Sequence, residues 1–212
     1  MINVLVADDH PVVREGLKQI IAQASDMRVG AEALNGQEVI DLLGGASFDV
    51  LILDLNMPGR DGFEVLRQVR RDHPRLPVLI LTVHAEEHVG VRVLRAGAAG
   101  IMNKESAPAE LINALRRIVG GRKYISEALA ERLAFDAGIP GLPHEALSDR
   151  EYQVLCLVAS GKTIAEIAQF LALSDKTIRT YRERILAKLG LKNDVELVHY
   201  ALRHKLIGAM GD

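Results

Sequence analysis

Five short apolar runs, each followed by a stretch of helical spacing, fill the first 119 residues. Val4–Ala7, Val50–Leu53 and Val78–Leu81 are the clear ones; Val29–Ala33 and Gly100–Met102 are weaker versions. Runs this short, with β-branched residues, suit strands buried on both faces, as in a parallel sheet. Helical spacing follows Pro11, through Val13, Leu17, Ile20 and Ile21, and recurs at Val39–Leu43, Phe63–Val69, Val89–Leu94 and Leu111–Ile118. A β-α unit repeated about five times predicts an α/β fold: a doubly wound, five-stranded parallel sheet with right-handed crossovers.

The pattern stops at Gly120-Gly121. Gly138, Pro140, Gly141 and Pro143 follow within residues 120–146, which read as a linker with room for a short helix at Ser126–Phe135. Beyond it no strand pattern occurs. Helices are expected near 148–159, 163–171, 175–189 and 194–204. Ser148 stands three residues before Glu151 as a capping box, and Gly161 and Gly190 fall at expected helix ends. The expected organisation is therefore a domain over 1–119, a linker over 120–146 and a small all-α domain over 147–212.

Charge follows the same division. The net value of -2 splits into -3 for residues 1–120, -1 for 121–146 and +2 for 147–212. The last part concentrates its cations at Lys176, Arg179, Arg182, Arg184, Lys188 and Lys192, opposed locally by Asp175 and Glu183. Cys156 is the one cysteine, so no intramolecular disulfide can form, which fits a reducing compartment. The apolar runs fall short of the roughly 20 residues that span a bilayer, and the first residues lack the flanks of a signal peptide. A cytoplasmic protein without membrane partners is expected.

Asp8 and Asp9 close the first predicted strand and Asp54 closes the third. In a parallel doubly wound sheet the carboxyl ends of the strands share one rim, where ligands bind. Three carboxylates meeting there would repel one another and raise at least one pKa unless a cation joins them. Mg²⁺ suits such a set, taking one or two carboxylates, a carbonyl and waters. Thr82 and Lys104 end two further strands on that rim. A hydroxyl donor and a mobile ammonium beside a carboxylate and a metal make a place for a phosphoryl group, with Asp54 as the nucleophile. Any one of these acids alone would read as a turn or a helix cap. Five residues of fitting types at the ends of four strands are what give the reading its weight.

With Met57-Pro58 and Gly62 added after Asp54, this part resembles the receiver domain of two-component response regulators, which is flavodoxin-like. The resemblance implies that Asp54 is the phosphoacceptor. It implies that Asp8, Asp9, Asp54 and the backbone carbonyl of Asn56 hold Mg²⁺. Thr82 and Lys104 would bind the phosphoryl oxygens, and the donor would be a sensor histidine kinase. One position departs from the pattern: Ile101 stands where many receivers carry Tyr or Phe. With no ring to swing inward, the switch would fall to Thr82 and the following segment, His84–His88.

The segment from Ser148 to Ile207 resembles the LuxR-type helix-turn-helix of the NarL/FixJ class. It does so through Leu147-Ser148, Arg150-Glu151, Val154-Leu155, Gly161, Glu166-Ile167-Ala168, Leu171, Ser174, Lys176-Thr177-Ile178, Lys188-Leu189-Gly190 and Val195-Glu196-Leu197. Read by itself, 175–189 is an amphipathic helix. Ile178, Ile185 and Leu189, with Tyr181 or Leu186, point inward, and Lys176, Arg179, Thr180 and Glu183 lie on the other side. Such a helix fits the major groove of double-stranded DNA. By position in the family, Arg179 and Thr180 read bases, and Thr177 lies in the first turn. Lys176, Arg182, Arg184, Lys188 and Lys192 contact phosphates. Glu183, where relatives often carry Asn or Lys, either accepts from a cytosine or weakens backbone binding. The last helix is expected to pair two copies into a homodimer.

The implied function is a response regulator, phosphorylated on Asp54, that controls sequence-specific DNA binding and transcription. Two other readings stay open. One is a dimeric transcription factor that ignores phosphate. The other is an aspartyl-phosphate phosphohydrolase, which Asn56 argues against because such an enzyme usually wants a second carboxylate there.

Overall fold

The computed structural model describes residues 1–82, 86–104, 106, 108–135, 142–204 and 206–207. Two compact units result, Met1–Ala130 and Glu131–Asp212.

The first unit alternates strand and helix. In order these are β1 (Ile2–Ala7), α1 (Pro11–Ala22), β2 (Met27–Ala33), α2 (Gly36–Gly45), β3 (Val50–Asp54), α3 (Gly62–Asp72), β4 (Val78–Thr82), α4 (Glu86–Arg95), β5 (Gly100–Asn103) and α5 (Pro108–Val119). All strand pairs are parallel, in the order β2-β1-β3-β4-β5. The five-stranded doubly wound sheet expected from the apolar runs is present. β3 and β4 are buried along their whole length, which is why they read as unbroken apolar runs instead of alternating ones. One face packs Val4, Val6, Ile52, Leu79 and Leu81 against Leu17, Ile21, Leu111, Leu115 and Ile118 of α1 and α5. The alternate residues, including Leu5, Leu51, Leu53, Ile80 and Ile101, point to the other face.

β1, β3, β4 and β5 run in the same direction, so their carboxyl ends bring Asp8, Asp54, Thr82 and Lys104 to one rim. The opposite rim collects basic side chains. Arg70 and Arg71 end α3, Arg92 and Arg95 end α4, and Arg116 and Arg117 end α5. Cations there complement the negative ends of the helix dipoles, so their clustering needs no ligand to explain it.

The glycine-proline stretch departs from a plain linker at its start. Tyr124 N–H donates to the Ala99 carbonyl and the Tyr124 carbonyl accepts from Ile101 N–H, both at 3.1 Å. Tyr124 thereby forms a parallel bridge with Gly100 on the edge of β5. The helix α6 (Glu127–Phe135) follows, within the span expected for it. Gly138, Pro140 and Gly141 lie outside the described residues.

Among its described residues the second unit contains helices and no strand. A 3-10 turn (Pro143–Ala146) precedes α7 (Asp149–Ala159), α8 (Ile164–Phe170), α9 (Asp175–Leu189) and α10 (Asp194–Arg203). The Ser148–Glu151 capping box forms in both directions, and Thr163 with Glu166 makes a second. Gly161 (φ 82°) and Gly190 (φ 68°) sit in the left-handed region at helix ends. Leu155, Ile167, Ile178, Ile185, Leu197 and Ala201 form the centre of this unit.

Candidate functional site

The acidic rim is built by three buried side chains, Asp8, Asp54 and Thr82, with Asp9 at its edge. Lys104 enters from the end of β5. Its Nζ lies 2.6 Å from Asp8 Oδ2 and 2.7 Å from Asp54 Oδ2. The backbone carries part of the load as well. Asn56 N–H donates to Asp54 Oδ1 at 3.0 Å, and His10 N–H donates to Asp8 Oδ1 at 2.9 Å. Lys104 N–H donates to the Thr82 carbonyl at 2.8 Å, tying the two strand ends together.

Burial raises the Asp54 carboxyl above its ordinary range; the Lys104 ammonium and the Asn56 N–H oppose this. Burial also works to lower the pKa of Lys104, but Asp54 and Asp8 outweigh it and leave the ammonium more firmly protonated than usual. Among the described residues, Asp8 and Asp54 share the Lys104 ammonium and Asp9 lies close by, an excess of negative charge in a largely desolvated place. Ligand atoms of Asp8, Asp9, His10 and Asp54 all lie within 4.8 Å of one another. Oxygen-rich, net negative and compact, this donor set fits a hard divalent cation.

The remaining residues of the pocket reading are placed as follows. Thr82 is fully buried beside the cluster. Ile101 is a fully buried β5 residue whose N–H is held by Tyr124. Asn56 adjoins Asp54 through its N–H bond. His84 lies outside the described residues, as do the side chains of residues 86–88. Sequence reasoning missed His10, whose Nδ1 stands 2.9 Å from Asp9 and 3.2 Å from Asp8. Its position directly after two acids was the available signal. Arg14, whose Nη1 donates to the Asp8 carbonyl at 2.9 Å, gave none, because a whole helical turn separates it from the acids.

Supports around the acceptor explain the residues after it. Asp61 is buried and caps α3, its Oδ1 accepting from Phe63 N–H at 2.9 Å. At Gly62 a Cβ would fall 2.6 Å from the Leu55 Cα, so only glycine lets the chain double back beside β3.

On the second unit, α9 is capped by Ser174, whose Oγ accepts from Thr177 N–H at 3.1 Å. Ile178, Ile185 and Leu186 face inward, and Leu189 and Tyr181 are half-buried. Lys176, Arg179, Thr180, Glu183, Arg184 and Lys192 are exposed. The Thr180 hydroxyl donates to the Lys176 carbonyl at 3.0 Å, which leaves its lone pairs to face outward.

Two of the six cations are engaged within the fold, contrary to the local charge count. Lys188 Nζ is 2.6 Å from Glu151 Oε2, and Arg182 Nε is 2.6 Å from Asp194 Oδ1. Glu151 is buried at the head of α7, so Lys188 answers an interior carboxylate.

Residues 4–116 match the family model described as response regulator receiver domain, and residues 145–201 match bacterial regulatory proteins, luxR family. The chain is a response regulator. This response regulator is 37% identical over 212 residues to response regulator UvrY of Escherichia coli strain K12, covering 99% of this chain and 97% of that protein. It is likewise 37% identical to response regulator GacA of Pseudomonas aeruginosa, over 99% of both. Among solved structures it resembles RcsB from Salmonella enterica serovar Typhimurium bound to promoter rprA with the phosphomimetic BeF3-. That likeness has a TM-score of 0.70 and 32% identity, over 94% of this chain and 98% of that one. A second structure of the Salmonella typhimurium RcsB response regulator gives a TM-score of 0.76 and 31% identity, over 96% and 98%. The regulator thus joins a receiver to a LuxR-type helix-turn-helix in one chain. Among the described residues no helix is long and apolar enough to cross a membrane.

Proposed function

We propose that phosphorylation of Asp54 by a sensor histidine kinase controls sequence-specific DNA binding by α9, in the cytoplasm. The observation that carries this reading is the contact of Lys104 with both Asp8 and Asp54, beside a buried Thr82 hydroxyl. Asp54 attacks phosphorus through a carboxylate oxygen; the P–N bond to the donor imidazole breaks, and the imidazole leaves with its electron pair. Lys104 turns from the carboxylates to a phosphoryl oxygen, and the Thr82 hydroxyl donates to another. Asp8, Asp9, Asp54 and the Asn56 carbonyl would hold Mg²⁺, which would supply positive charge to offset the incoming oxygens. The aspartyl phosphate is a signal and not an intermediate of turnover on free phosphomonoesters.

On DNA, Arg179 is assigned to a guanine edge, with Thr177, Thr180 and Glu183 near it. Lys176, Arg184 and Lys192 contact phosphates, Arg182 joins them from beside Asp194, and Lys188 is assigned to Glu151 instead. A related protein, RcsB, is solved bound to a promoter, which supports DNA as the partner of this helix-turn-helix. Val195 and Leu202, exposed apolar residues two helical turns apart on α10, support pairing of two copies there.

The decisive experiment is labelling with acetyl phosphate and Mg²⁺. Wild-type protein takes up one phosphoryl group and gains DNA affinity, and Asp54→Asn does neither. Labelling that persists in Asp54→Asn would show that the acceptor is another residue.

A further inference from the structure

Two glycines in different elements make room for the same piece of chain. Gly100 opens β5. A Cβ there would stand 2.7 Å from the Tyr124 carbonyl oxygen and 3.0 Å from the Tyr124 Cβ. Gly90 lies inside α4, where glycine is the poorest helix former after proline. A Cβ at that position would stand 2.5 Å from one methyl of Leu129 and 2.9 Å from the other. Leu129 is completely buried, although it lies on a helix that begins only two residues earlier.

The segment between the two seats is itself fixed. Tyr124 is bonded to β5 on both sides, at Ala99 and Ile101. Lys123 Nζ donates to the Ala98 carbonyl at 3.1 Å. Arg117 stacks over the Tyr124 ring at 5.8 Å. Ser126 Oγ accepts from Leu129 N–H at 3.3 Å, capping the new helix. All these contacts fall within the first unit. Residues 124–130 are therefore a strap laid across β5 and α4.

The two elements it grips lead directly to the phosphoryl-binding side chains. β5 ends one residue before Lys104, and α4 begins four residues after Thr82. Ile101, which offers no aromatic ring, instead gives its N–H to the strap. The strap is also the part of the first unit from which the chain continues to the helix-turn-helix.

We propose that Leu129 seated on Gly90 is an autoinhibitory contact, released when Asp54 is phosphorylated, that holds the helix-turn-helix in its weak-binding state. This rests on the function proposed above and adds the element that transmits it. A protein whose binding-competent state is held back has its apparent affinity reduced by the closed fraction. Unseating Leu129 without phosphate raises DNA affinity for the same reason.

The test uses the full chain and a duplex selected from a random library on acetyl-phosphate-treated wild type. Two variants attack the seat from opposite sides: Leu129→Ala empties it, and Gly90→Ala fills it with a methyl group while favouring the α4 helix. Both are expected to bind the duplex at least tenfold more tightly than unphosphorylated wild type and to gain little from acetyl phosphate. Leu129→Met, which can refill the seat, keeps the wild-type response. In parallel, backbone amides of 126–131 in wild type are expected to exchange with solvent faster after acetyl phosphate and Mg²⁺. If wild type responds to phosphate while both variants match it in affinity and response, the strap proposal is overturned and the phosphorylation reading stands. Unchanged exchange at 126–131 in a responding wild type overturns it equally. A wild type that ignores acetyl phosphate removes both.

Discussion

Lys104 supplies positive charge between Asp8 and Asp54. One ammonium cannot balance three carboxylates, so a divalent cation should stabilise the receiver. Mg²⁺ is expected to raise the melting temperature of the wild type, saturating with concentration, by an amount that corresponds to about 2.7 kcal/mol at a hundred times Kd. Asp9→Asn should abolish most of that rise, and chelation should reverse it in wild type; calorimetry with and without Mg²⁺ reads both. A rise that survives Asp9→Asn would remove Asp9 from the metal set. The same residue-level logic separates the cations of α9. Arg179→Ala should lose about 1–3 kcal/mol of binding and relax preference at one base pair, whereas Lys176→Ala should weaken all sequences alike and lower the salt slope by about one. Quantitative titrations on matched and mutated duplexes distinguish them.

At the scale of elements, the helix-turn-helix contains a strained turn and an interior ion pair. Ala172, between α8 and α9, has φ 52°, in the left-handed region where a Cβ is unfavourable by roughly 1–2 kcal/mol. The turn is held there by Leu173 N–H donating to the Ala168 carbonyl at 2.9 Å. Ala172→Gly removes the strain but loosens the unfolded chain by about 0.4–1 kcal/mol, so a small net gain in melting temperature is expected. Glu151 is the second case. Burial works to raise its pKa, but the Lys188 ammonium and the Ser148 N–H and hydroxyl outweigh it and hold the carboxyl below its ordinary 4.5. A depressed acid contributes stability that is present above that ordinary value and disappears as pH falls through the lower folded value. The helical unit should therefore lose stability below about pH 4.5. Lys188→Ala should cost about 1–3 kcal/mol at neutral pH, by leaving a buried carboxylate without its charged partner, and should flatten that acid dependence. Unchanged stability in Lys188→Ala, with weaker DNA binding, would return Lys188 to the phosphate contacts.

At the scale of the whole molecule, one chain joins a receiver to a LuxR-type helix-turn-helix, and the proposed pairing of two copies through α10 makes a prediction of its own. Val195 and Leu202 are exposed apolar side chains two helical turns apart on α10, which the proposed pairing would cover. Leu202→Arg should leave phosphorylation intact while weakening binding to a two-site duplex at least tenfold and a single half-site little. Light scattering and titration on the two duplexes read this, and equal losses on both would mean that α10 does not pair the copies.

How much of this was legible in advance depended on range along the chain. Local rules were enough for the apolar runs of β3 and β4, the Ser148–Glu151 capping box, and Gly161 and Gly190 at helix ends, because each involves residues within a turn or two of one another. The acidic rim was legible for a topological reason: parallel strands bring their carboxyl ends together whatever the details of packing. Partnerships set by packing were not legible. Lys188 and Glu151 are 37 residues apart, and nothing local distinguishes that lysine from a free one. Gly120-Gly121 and the prolines beyond suggested a linker, yet Tyr124 and Leu129 are built into the first unit. Sequence periodicity reports which residues prefer burial; it does not report which distant surface has a glycine-sized notch to receive them, and that choice was made only when α4 and β5 came together.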